Sequence, residues 1–578
     1  MRKSPPSRLW TARLWTDSAA AAALFSATAA VVTWQNLRLG ILWDLSYILE
    51  TAQRISTGDV PYRDFPLPFA PLTFLAQAAL IKLTGRVFLH HVIYAAAAGG
   101  LATVLTWRIL ANFLGDGDKV RAPRAWTFLL AAPLVFLGIY SIFPHPFYDP
   151  DCTLAILCAL LLLQRAERSG FPPLRSFCAG AFVIIPIFVK QNAGLAFAAA
   201  TALSLVVLLA RNLLAKKPAR GLLWTLAGAS SALAFAAVLI HLTAGLANYW
   251  HWTVQFAASR RLPPLSATLA IYRNPLPLIF AAAFLAGALL FRSNLKNHRA
   301  TLAWLSVALL SAPFLWPLAA LFLMDNASDR VEQLLALWPF LLIVSFLSAL
   351  WNIPRRTGLD LVLPFILIAT VHGAFLSQQV WGSTYAIWPL FILLFAWTFP
   401  PLFPADQENS SAPALTLIVV VSIGLLASGG YYSWSHERLD YAKLSDGDMN
   451  RSALPELKGL SVRGPWIPQF EQLVGFARRE IPAQDGILMI PGEDLFYFTS
   501  GRRPQFPVLM FDHTLNPFSP EEILALSRAR NIRWLIVKEQ LQVNGQPVED
   551  RARLLELLGR DFKPVQTLGI YDIYRRGP

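Results

Sequence analysis

The sequence predicts an α-helical polytopic membrane protein followed by a C-terminal α/β domain. Its composition is 55% hydrophobic and only 15% charged, whereas a soluble domain has about 25% charged residues. Long apolar runs recur through residues 1–432, and shorter runs with mixed charge fill residues 433–578. The composition excludes an ordinary cytosolic enzyme and a disordered chain. The three cysteines lie in apolar runs, without the paired spacing of a disulfide framework or a metal site.

The net charge of +14 lies entirely within the apolar part of the chain. Residues 433–578 contain 19 basic and 19 acidic residues, so that segment is neutral, and residues 1–432 contain 30 basic and 16 acidic ones. Positive charge interspersed with apolar segments is what orientation in a membrane requires. The balance therefore does not indicate nucleic-acid binding.

A helix needs about 20 apolar residues to cross the hydrocarbon core. On this basis the sequence predicts thirteen membrane-spanning segments. They are 18–36, 89–111, 125–143, 151–166, 176–190, 193–213, 221–243, 275–292, 300–323, 333–351, 359–377, 384–400 and 413–432. With a cytoplasmic N-terminus, 20 of the 30 basic residues fall in cytoplasmic segments, so the positive-inside rule places the C-terminal domain outside. A fourteenth span at 66–83 would invert every later loop, so its apolar part, 72–83, is predicted to be a short interfacial helix.

The first outer loop begins with a predicted amphipathic helix along the membrane surface. Leu45, Ile48, Leu49, Ala52 and Ile55 follow three- and four-residue spacing, which is typical of such a helix, and the glycine at position 58 would stop it. Asp44 stands at its start. It is either an N-cap or a carboxylate held at the boundary between water and lipid.

Acidic residues of the membrane portion concentrate on the same outer side. Nine of the 16 fall there: Asp44, Glu50, Asp59, Asp64, Asp149, Asp151, Asp325, Asp329 and Glu332. Ionisable groups near hydrocarbon are costly, so a cluster of them at one face is a candidate site. The alternative for any single residue is an ordinary polar loop.

Several short motifs between residues 44 and 86 resemble the first outer loop of GT-C glycosyltransferases. They are the spacing of Asp44 with Tyr47 or Ile48 and Ala52, then Gly58-Asp59-Val60-Pro61-Tyr62-Arg63-Asp64-Phe65, Ala70-Pro71-Leu72 and Lys82-Leu83-Thr84-Gly85-Arg86. The chain looks most like the protein O-mannosyltransferase-like group (family 39) and the aminoarabinose lipid A transferases. The resemblance implies about thirteen spans, an outward C-terminal domain and polyprenyl-phosphate sugar donors.

The resemblance also assigns roles to individual residues. Asp44 matches the catalytic acid of the family, although many members have Asp-Glu where this chain has Asp44-Leu45. Either Asp149 or Asp151 matches the second acidic motif. Lys190 matches the basic residue after the fifth span, and Arg330 matches donor-contacting groups before the tenth. The remaining first-loop motif residues are Tyr62, Arg63 and Asp64.

The expected reaction is transfer of a sugar from a polyprenyl phosphate to a hydroxyl or amine at the outer membrane face. Asp44 would take the proton of the acceptor, and Lys190 would stabilise the leaving phosphate, the alternative for Lys190 being a side chain that snorkels to the interface. Asp149 and Asp151 would bind a divalent cation with Asp44, position the acceptor or pair with Lys190. The sequence leaves these three alternatives, and hence metal use, open.

Two other functions compete with this interpretation. A transporter or flippase of lipid-linked envelope precursors would show internal repeats and charges near the bilayer midplane, and the sequence has no convincing repeat and places its charges at one face. A non-enzymatic assembly protein of the envelope would work through the C-terminal domain. The compact loops and the resemblance indicate a bacterial inner membrane.

Residues 433–578 are predicted to form a small α/β domain outside the membrane. The predicted elements are helices at 466–481, 519–530 and 550–559 and strands at 486–490, 532–537 and 566–574. The segment lacks the glycine-rich motifs of dinucleotide and phosphate-binding loops. Residues 496–504 would either recognise an acceptor or cap the membrane site.

Overall fold

The computed structural model describes residues 8–115, 124–261, 263–297, 300–398, 411–442, 447–512, 514–539 and 548–577. Within them the first ten α-helices are α1 (Arg8–Asn36), α2 (Leu42–Ser56), α3 (Leu72–Thr84), α4 (Phe88–Gly115), α5 (Arg124–Ala131), α6 (Leu134–Leu137), α7 (Tyr148–Arg168), α8 (Pro173–Ile184), α9 (Gln191–Leu214) and α10 (Arg220–Thr243). The next ten are α11 (Leu246–Trp250), α12 (Ala257–Arg261), α13 (Leu265–Thr268), α14 (Pro275–Asn297), α15 (Ala300–Leu323), α16 (Ala327–Leu335), α17 (Leu337–Asn352), α18 (Gly358–Ser383), α19 (Trp388–Thr398) and α20 (Ser411–Ser435).

Nine helical segments of the described chain are long and apolar enough to cross a membrane. Helices α1, α4, α9, α10, α14, α15, α18 and α20 each provide one, and α16 with α17 provides the ninth. The predicted class, a multi-pass helical membrane protein with a C-terminal α/β region, is therefore confirmed.

The other four of the thirteen predicted spans do not form long apolar helices. The span at 125–143 is α5 and α6 separated at Pro133 and followed by irregular chain after Gly138. The span at 176–190 is α8 followed by a 3-10 turn through Pro186, because proline cannot donate a helical hydrogen bond. The span at 151–166 lies within α7, whose ends are charged, and that at 384–400 contains only the 11 residues of α19 within the described chain.

The apolar run at 66–83 is too short to cross a membrane, as the sequence predicted. Its only helix is α3, with 13 residues. The chain before it is proline-rich and irregular, and Gly85, at φ 86°, ends the helix. This φ favours glycine, since residues with a Cβ rarely adopt it.

Groups that the positive-inside rule assigns to the cytoplasm lie together at one end of the bundle. Asp17, near the start of α1, pairs with Arg108 at 3.5 Å and with Arg124 at 3.1 Å. Nearby in the predicted cytoplasmic segments, Arg168 donates to the side chain of Asn112 at 2.6 Å. Residues that the sequence places outside meet at the opposite end, as described below.

A reporter fused after Pro578 is expected to be active only when the reporter works outside the cytoplasm. Alkaline phosphatase should therefore be active and a cytoplasm-dependent fluorescent protein dark. The matched control is the same pair of reporters fused after Arg356, in the segment between α17 and α18, where the pattern should reverse. A dark phosphatase and a bright fluorescent protein after Pro578 would contradict the orientation.

Within its described residues, the C-terminal region contains two small sheets and four α-helices. These elements are β1 (Met449–Arg451), β2 (Ser461–Arg463), α21 (Trp466–Glu480), β3 (Gly486–Ile490), α22 (Phe496–Ser500), α23 (Pro520–Ala529), β4 (Ile532–Lys538), α24 (Val548–Gly559), β5 (Phe562–Leu568) and β6 (Tyr571–Arg576). Strands β1 and β2 are antiparallel; the larger sheet has the order β3-β4-β6-β5, with β3 and β4 parallel and the other pairs antiparallel.

The predicted strand at 566–574 is wrong in one respect, because the chain there forms a hairpin. Strands β5 and β6 are joined at Gly569, which has a φ of 57°. The helix predicted at 519–530 is confirmed as α23. Its N-cap Ser519 accepts from the amide of Glu522, and the Glu522 side chain accepts from the amide of Ser519, a capping box.

Candidate active site

Asp44 lies in the first turn of α2, three residues after the N-cap Ile41. The N-cap interpretation of Asp44 is therefore wrong. A carboxylate in the first turn is stabilised by the partial positive charge of the helix N-terminus. Asp44 is half-buried, so it can face both protein and solvent.

The amphipathic helix predicted along the membrane surface is α2, and its polar side is covered by protein. Ten of its residues are buried, including Ser46, Glu50 and Arg54. The reason is that the C-terminal domain covers the polar face. The Ser46 hydroxyl donates to the carbonyl of Gly492 at 2.6 Å, and the Arg54 guanidinium donates to that of Pro507 at 2.7 Å.

Phe69, in the proline-rich loop, connects three of the elements that form the site. Its ring packs against Tyr47, one turn after Asp44 on α2, with centroids 5.0 Å apart. The same ring stacks on Tyr148, next to Asp149, at 4.8 Å. Gln191, next to Lys190, holds the loop on both sides of Phe69, donating to the carbonyl of residue 68 at 2.9 Å and accepting from the amide of residue 70 at 3.2 Å.

Lys190 and Asp149 form a buried ion pair beside this ring contact. Each is under 10% exposed, and the Lys190 ammonium lies 5.6 Å from the centre of the Tyr148 ring. Of the alternatives left open by the sequence, pairing of Asp149 with Lys190 is the one found in the structure. The ammonium is therefore buried within the protein.

Two further residues, Tyr385 and Arg438, belong to the group of side chains around Asp44, Asp149 and Lys190. The sequence analysis predicted neither of them. The charges of Asp44, Asp149 and Arg438 all lie close enough to act on the Tyr385 side chain, and the Arg438 guanidinium is 4.9 Å from the centre of its ring. Tyr385 is in the 3-10 turn between α18 and α19, and Arg438 follows α20. A cation six residues beyond the last predicted span, on its outer side, was the available signal.

Asp151 points away from Asp149 and takes part in a separate hydrogen-bond cluster. Its carboxylate accepts from Thr73 at 2.8 Å, from Tyr94 at 2.9 Å and from Tyr140 at 2.6 Å. These hydroxyls come from α3, α4 and the segment before α7, so Asp151 joins three elements. Asp149 is therefore the second carboxylate near Asp44.

The first-loop motif residues Tyr62, Arg63 and Asp64 shape the loop above the site. Tyr62 has a φ of 69°, and its hydroxyl donates to the carbonyl of Phe69 at 2.7 Å. Asp64 accepts from the amide of Val60 at 2.7 Å and pairs with Arg63 at 2.9 Å. These contacts fix the backbone that presents Phe69.

Arg330 lies at the same end of the bundle but has its own protein partners. It donates to the carbonyl of Met324 at 2.9 Å and to the hydroxyl of Tyr431 at 3.1 Å. Its helix, α16, contacts the 3-10 turn Glu437–Ala442 that carries Arg438. Arg330 therefore supports the neighbourhood of Arg438.

The described residues do not form a metal site. No group of three His, Cys, Asp or Glu side chains within the described ranges could hold an ion. Asp149 faces an ammonium, and both oxygens of Asp151 accept hydroxyl hydrogens. As these two carboxylates are paired in the structure, they do not fit the cation that the sequence left open.

Glu50 fastens the C-terminal domain to α2. Its carboxylate oxygens accept from the amides of Tyr497 and Phe498, each at 3.0 Å, at the start of α22. Burial raises the pKa of Glu50 well above its usual range, and the hydrogen bonds from the two amides offset only part of this rise. Arg503 pairs with Asp59 nearby. Residues 496–504 therefore dock on the helix that carries Asp44.

Replacing Glu50 by alanine is expected to loosen this docking. Two buried amides lose their acceptor, at about 1–3 kcal/mol for each unsatisfied group. Thermal unfolding should shift to lower temperature, and limited proteolysis between α20 and β1 should accelerate. Glu556→Ala is the control, because Glu556 is exposed in a surface pair with Arg560; equal effects of the two changes would contradict the docking role.

Comparison with known proteins gives distant structural neighbours. No protein-family model matches the chain, and no curated protein matches it significantly. The chain is similar to ArnT from Cupriavidus metallidurans bound to undecaprenyl phosphate, with 14% identity, a TM-score of 0.45 and coverage of 96% of this chain and 99% of that chain. It is also similar to the archaeal oligosaccharyltransferase AglB from Archaeoglobus fulgidus, in complex with an inhibitory peptide and a dolichol-phosphate, with 10% identity, a TM-score of 0.47 and coverage of 98% and 75%.

ArnT is an aminoarabinose lipid A transferase, one of the groups that the first-loop residues resemble. At these identities and TM-scores, the similarity concerns the fold alone.

Proposed function

We propose that this chain is a membrane glycosyltransferase that transfers a sugar from a polyprenyl-phosphate donor to a lipid, glycan or protein hydroxyl at the outer face of the cytoplasmic membrane. The observation that carries the proposal is the gathering of two carboxylates, Asp44 and Asp149, with two cations, Lys190 and Arg438, at one end of an apolar helical bundle. Such a cluster is costly at a membrane boundary and suits a charged, lipid-linked substrate.

In the proposed reaction the acceptor oxygen forms a bond to the anomeric carbon of the sugar while the bond from that carbon to the phosphate oxygen breaks. The phosphate leaves with the bonding electron pair, and the acceptor proton passes to Asp44. A carboxylate in this role contributes typically about 10²–10⁴-fold to the rate. Half-burial in the first turn of α2 gives Asp44 access to an acceptor arriving from solvent.

The leaving phosphate requires fixed positive charge, since its negative charge grows as the bond breaks. Lys190 supplies one cation. Its ammonium has three N–H donors, so its pairing with Asp149 leaves it able to donate to a phosphate as well. Arg438 is the second cation of the cluster, and a guanidinium binds phosphate oxygens through two parallel hydrogen bonds.

The test is an assay in proteoliposomes in which a labelled polyprenyl-phosphate sugar is supplied on one side of the bilayer. Transfer predicts labelled acceptor and an equal amount of free polyprenyl phosphate, both dependent on the protein. The transporter alternative predicts that the intact donor crosses the bilayer with its sugar–phosphate bond unbroken. The absence of both sugar transfer and phosphate release across lipid, glycan and peptide acceptors would overturn the proposal.

A further inference from the structure

A cavity of about 260 Å³ lies at the junction of the bundle and the C-terminal domain. One wall is Leu37, just after α1, and the others are the turn and strand ends between residues 451 and 461. The two parts meet tightly: a Cβ on Gly40 would lie 2.8 Å from the carbonyl oxygen of Ser461. Only glycine therefore allows the chain leaving α1 to pack this closely on β2.

The cavity is lined by two cations and no carboxylate among the residues that the structure describes. The cations are Arg451 and Lys458, and both side chains are exposed to the opening. The carboxylates next to this loop already have donors. Glu471 accepts from the Ser452 hydroxyl at 2.7 Å, and Glu456 pairs with Arg478 at 2.8 Å.

Ser461 also lines the cavity and provides a buried polar group. The residue is 1% exposed, and its hydroxyl has no hydrogen-bond partner within the described chain. Buried hydroxyls in proteins are nearly always hydrogen-bonded. The Ser461 oxygen is itself closed to solvent, so the hydroxyl meets a ligand in the cavity only after its side chain rotates toward the opening.

The surroundings of the cavity place it at the depth of lipid headgroups. Arg38 lies between the rings of Trp34 and Trp434, at 4.3 and 4.2 Å from their centres. Both tryptophans are exposed at the ends of membrane helices, the position that tryptophan favours at a membrane interface. Burial and the neighbouring charge of Arg463 lower the pKa of Arg38, so two further cations stand close together beside β2.

We propose that this cavity binds the headgroup phosphate of an anionic membrane lipid. Arg451 and Lys458 pair with the phosphate oxygens, and the Ser461 hydroxyl, once its side chain rotates toward the opening, donates to one of them. The exposed apolar side chains of Leu37 and Trp434 next to the opening favour a phosphate that carries acyl chains over a free ion. The site would fix the C-terminal domain against the membrane surface, and it does not depend on sugar transfer.

The experiment is a lipid titration of the purified full chain in detergent, read by native mass spectrometry. Phosphatidylglycerol is compared with phosphatidylcholine, and inorganic phosphate is added as a competitor. The double variant Arg451→Gln/Lys458→Gln removes two charges and keeps side-chain length. The matched control is Arg479→Gln/Lys563→Gln, which removes two exposed charges elsewhere on the same domain. Ser461→Ala removes a hydroxyl that contributes no protein hydrogen bond among the described residues.

We expect the chain to retain phosphatidylglycerol in preference to phosphatidylcholine and the Arg451→Gln/Lys458→Gln variant to bind it at least about tenfold more weakly, since each cation near an anionic surface strengthens binding severalfold. Ser461→Ala should also weaken retention with unchanged thermal unfolding, and the control should match the wild type. Equal losses in the two double variants, or equal retention of the two lipids, would overturn the site. Displacement of the lipid by millimolar inorganic phosphate would instead assign the cavity to a free anion and overturn the lipid proposal.

Discussion

The Asp44→Asn variant is expected to lose sugar transfer by about 10²–10⁴-fold, the usual contribution of a general base, while donor binding persists. Asparagine has nearly the same shape as aspartate but cannot accept the acceptor proton. The helix start at Leu42 and the packing of Tyr47 on Phe69 do not involve the exchanged atom, so the fold should survive. The measurement is the initial rate of labelled sugar transfer, with donor affinity determined separately.

The matched control for Asp44 is Asp325→Asn. Asp325 is an exposed acid on the same predicted outer side, just beyond α15, and its replacement should leave the rate within about twofold, because solvent and salt screen an exposed charge. If Asp44→Asn keeps the wild-type rate, Asp44 is not the base. If both variants lose sugar-transfer activity equally, the loss reflects the total negative charge on the outer side of the protein and not Asp44 in particular.

The Lys190→Met variant is expected to lose both activity and stability. It leaves the Asp149 carboxylate buried without its ammonium, and breaking a buried pair from one side costs about 3–5 kcal/mol. Thermal unfolding should shift strongly to lower temperature. Transfer should fall because the leaving phosphate loses a fixed cation.

A double replacement separates these two effects. Lys190→Met/Asp149→Asn removes both charges, so most of the lost stability should return, as it does when a buried pair is replaced by neutral groups. Activity should stay low, because no ammonium faces the phosphate. Recovery of activity together with stability would show that Lys190 serves only as the counterion of Asp149, and Asp149→Asn alone completes the comparison.

The sequence predicted roles for Asp44 and Lys190 but not the packing that connects the elements on which they lie. Asp44 and Lys190 are far apart in the chain, and the elements that carry them are connected through Phe69, which packs between α2 and α7 in a loop held by Gln191 from α9. Aromatic packing across three elements leaves no periodic signal. Asp149 and Asp151 could not be separated from sequence either, because two positions along a helix N-terminus differ only in which neighbours they face.

The burial of α2 beneath the C-terminal domain could not be predicted from the sequence for a similar reason. Its apolar periodicity correctly predicted a helix that ends before Gly58. The amphipathic pattern does not show that Ser46, Glu50 and Arg54 bond to the backbone of the C-terminal domain. A polar stripe looks the same in sequence whether it meets solvent or the hydrogen-bonding groups of another domain.

By itself, the sequence determined the membrane class, nine of the thirteen predicted spans as long apolar helices within the described residues, and most elements of the small C-terminal α/β region. These follow from local properties: the length of apolar runs, the periodicity of 3.6 or 2 residues, and the distribution of basic residues among loops. The tertiary structure alone decided that Asp149 pairs with Lys190, that Asp151 joins α3 and α4, and that Tyr385 and Arg438 belong to the cluster around Asp44. The reason is physical, because the free energy of a buried charge depends on which donors and counterions surround it, and those come from segments tens to hundreds of residues away in the chain.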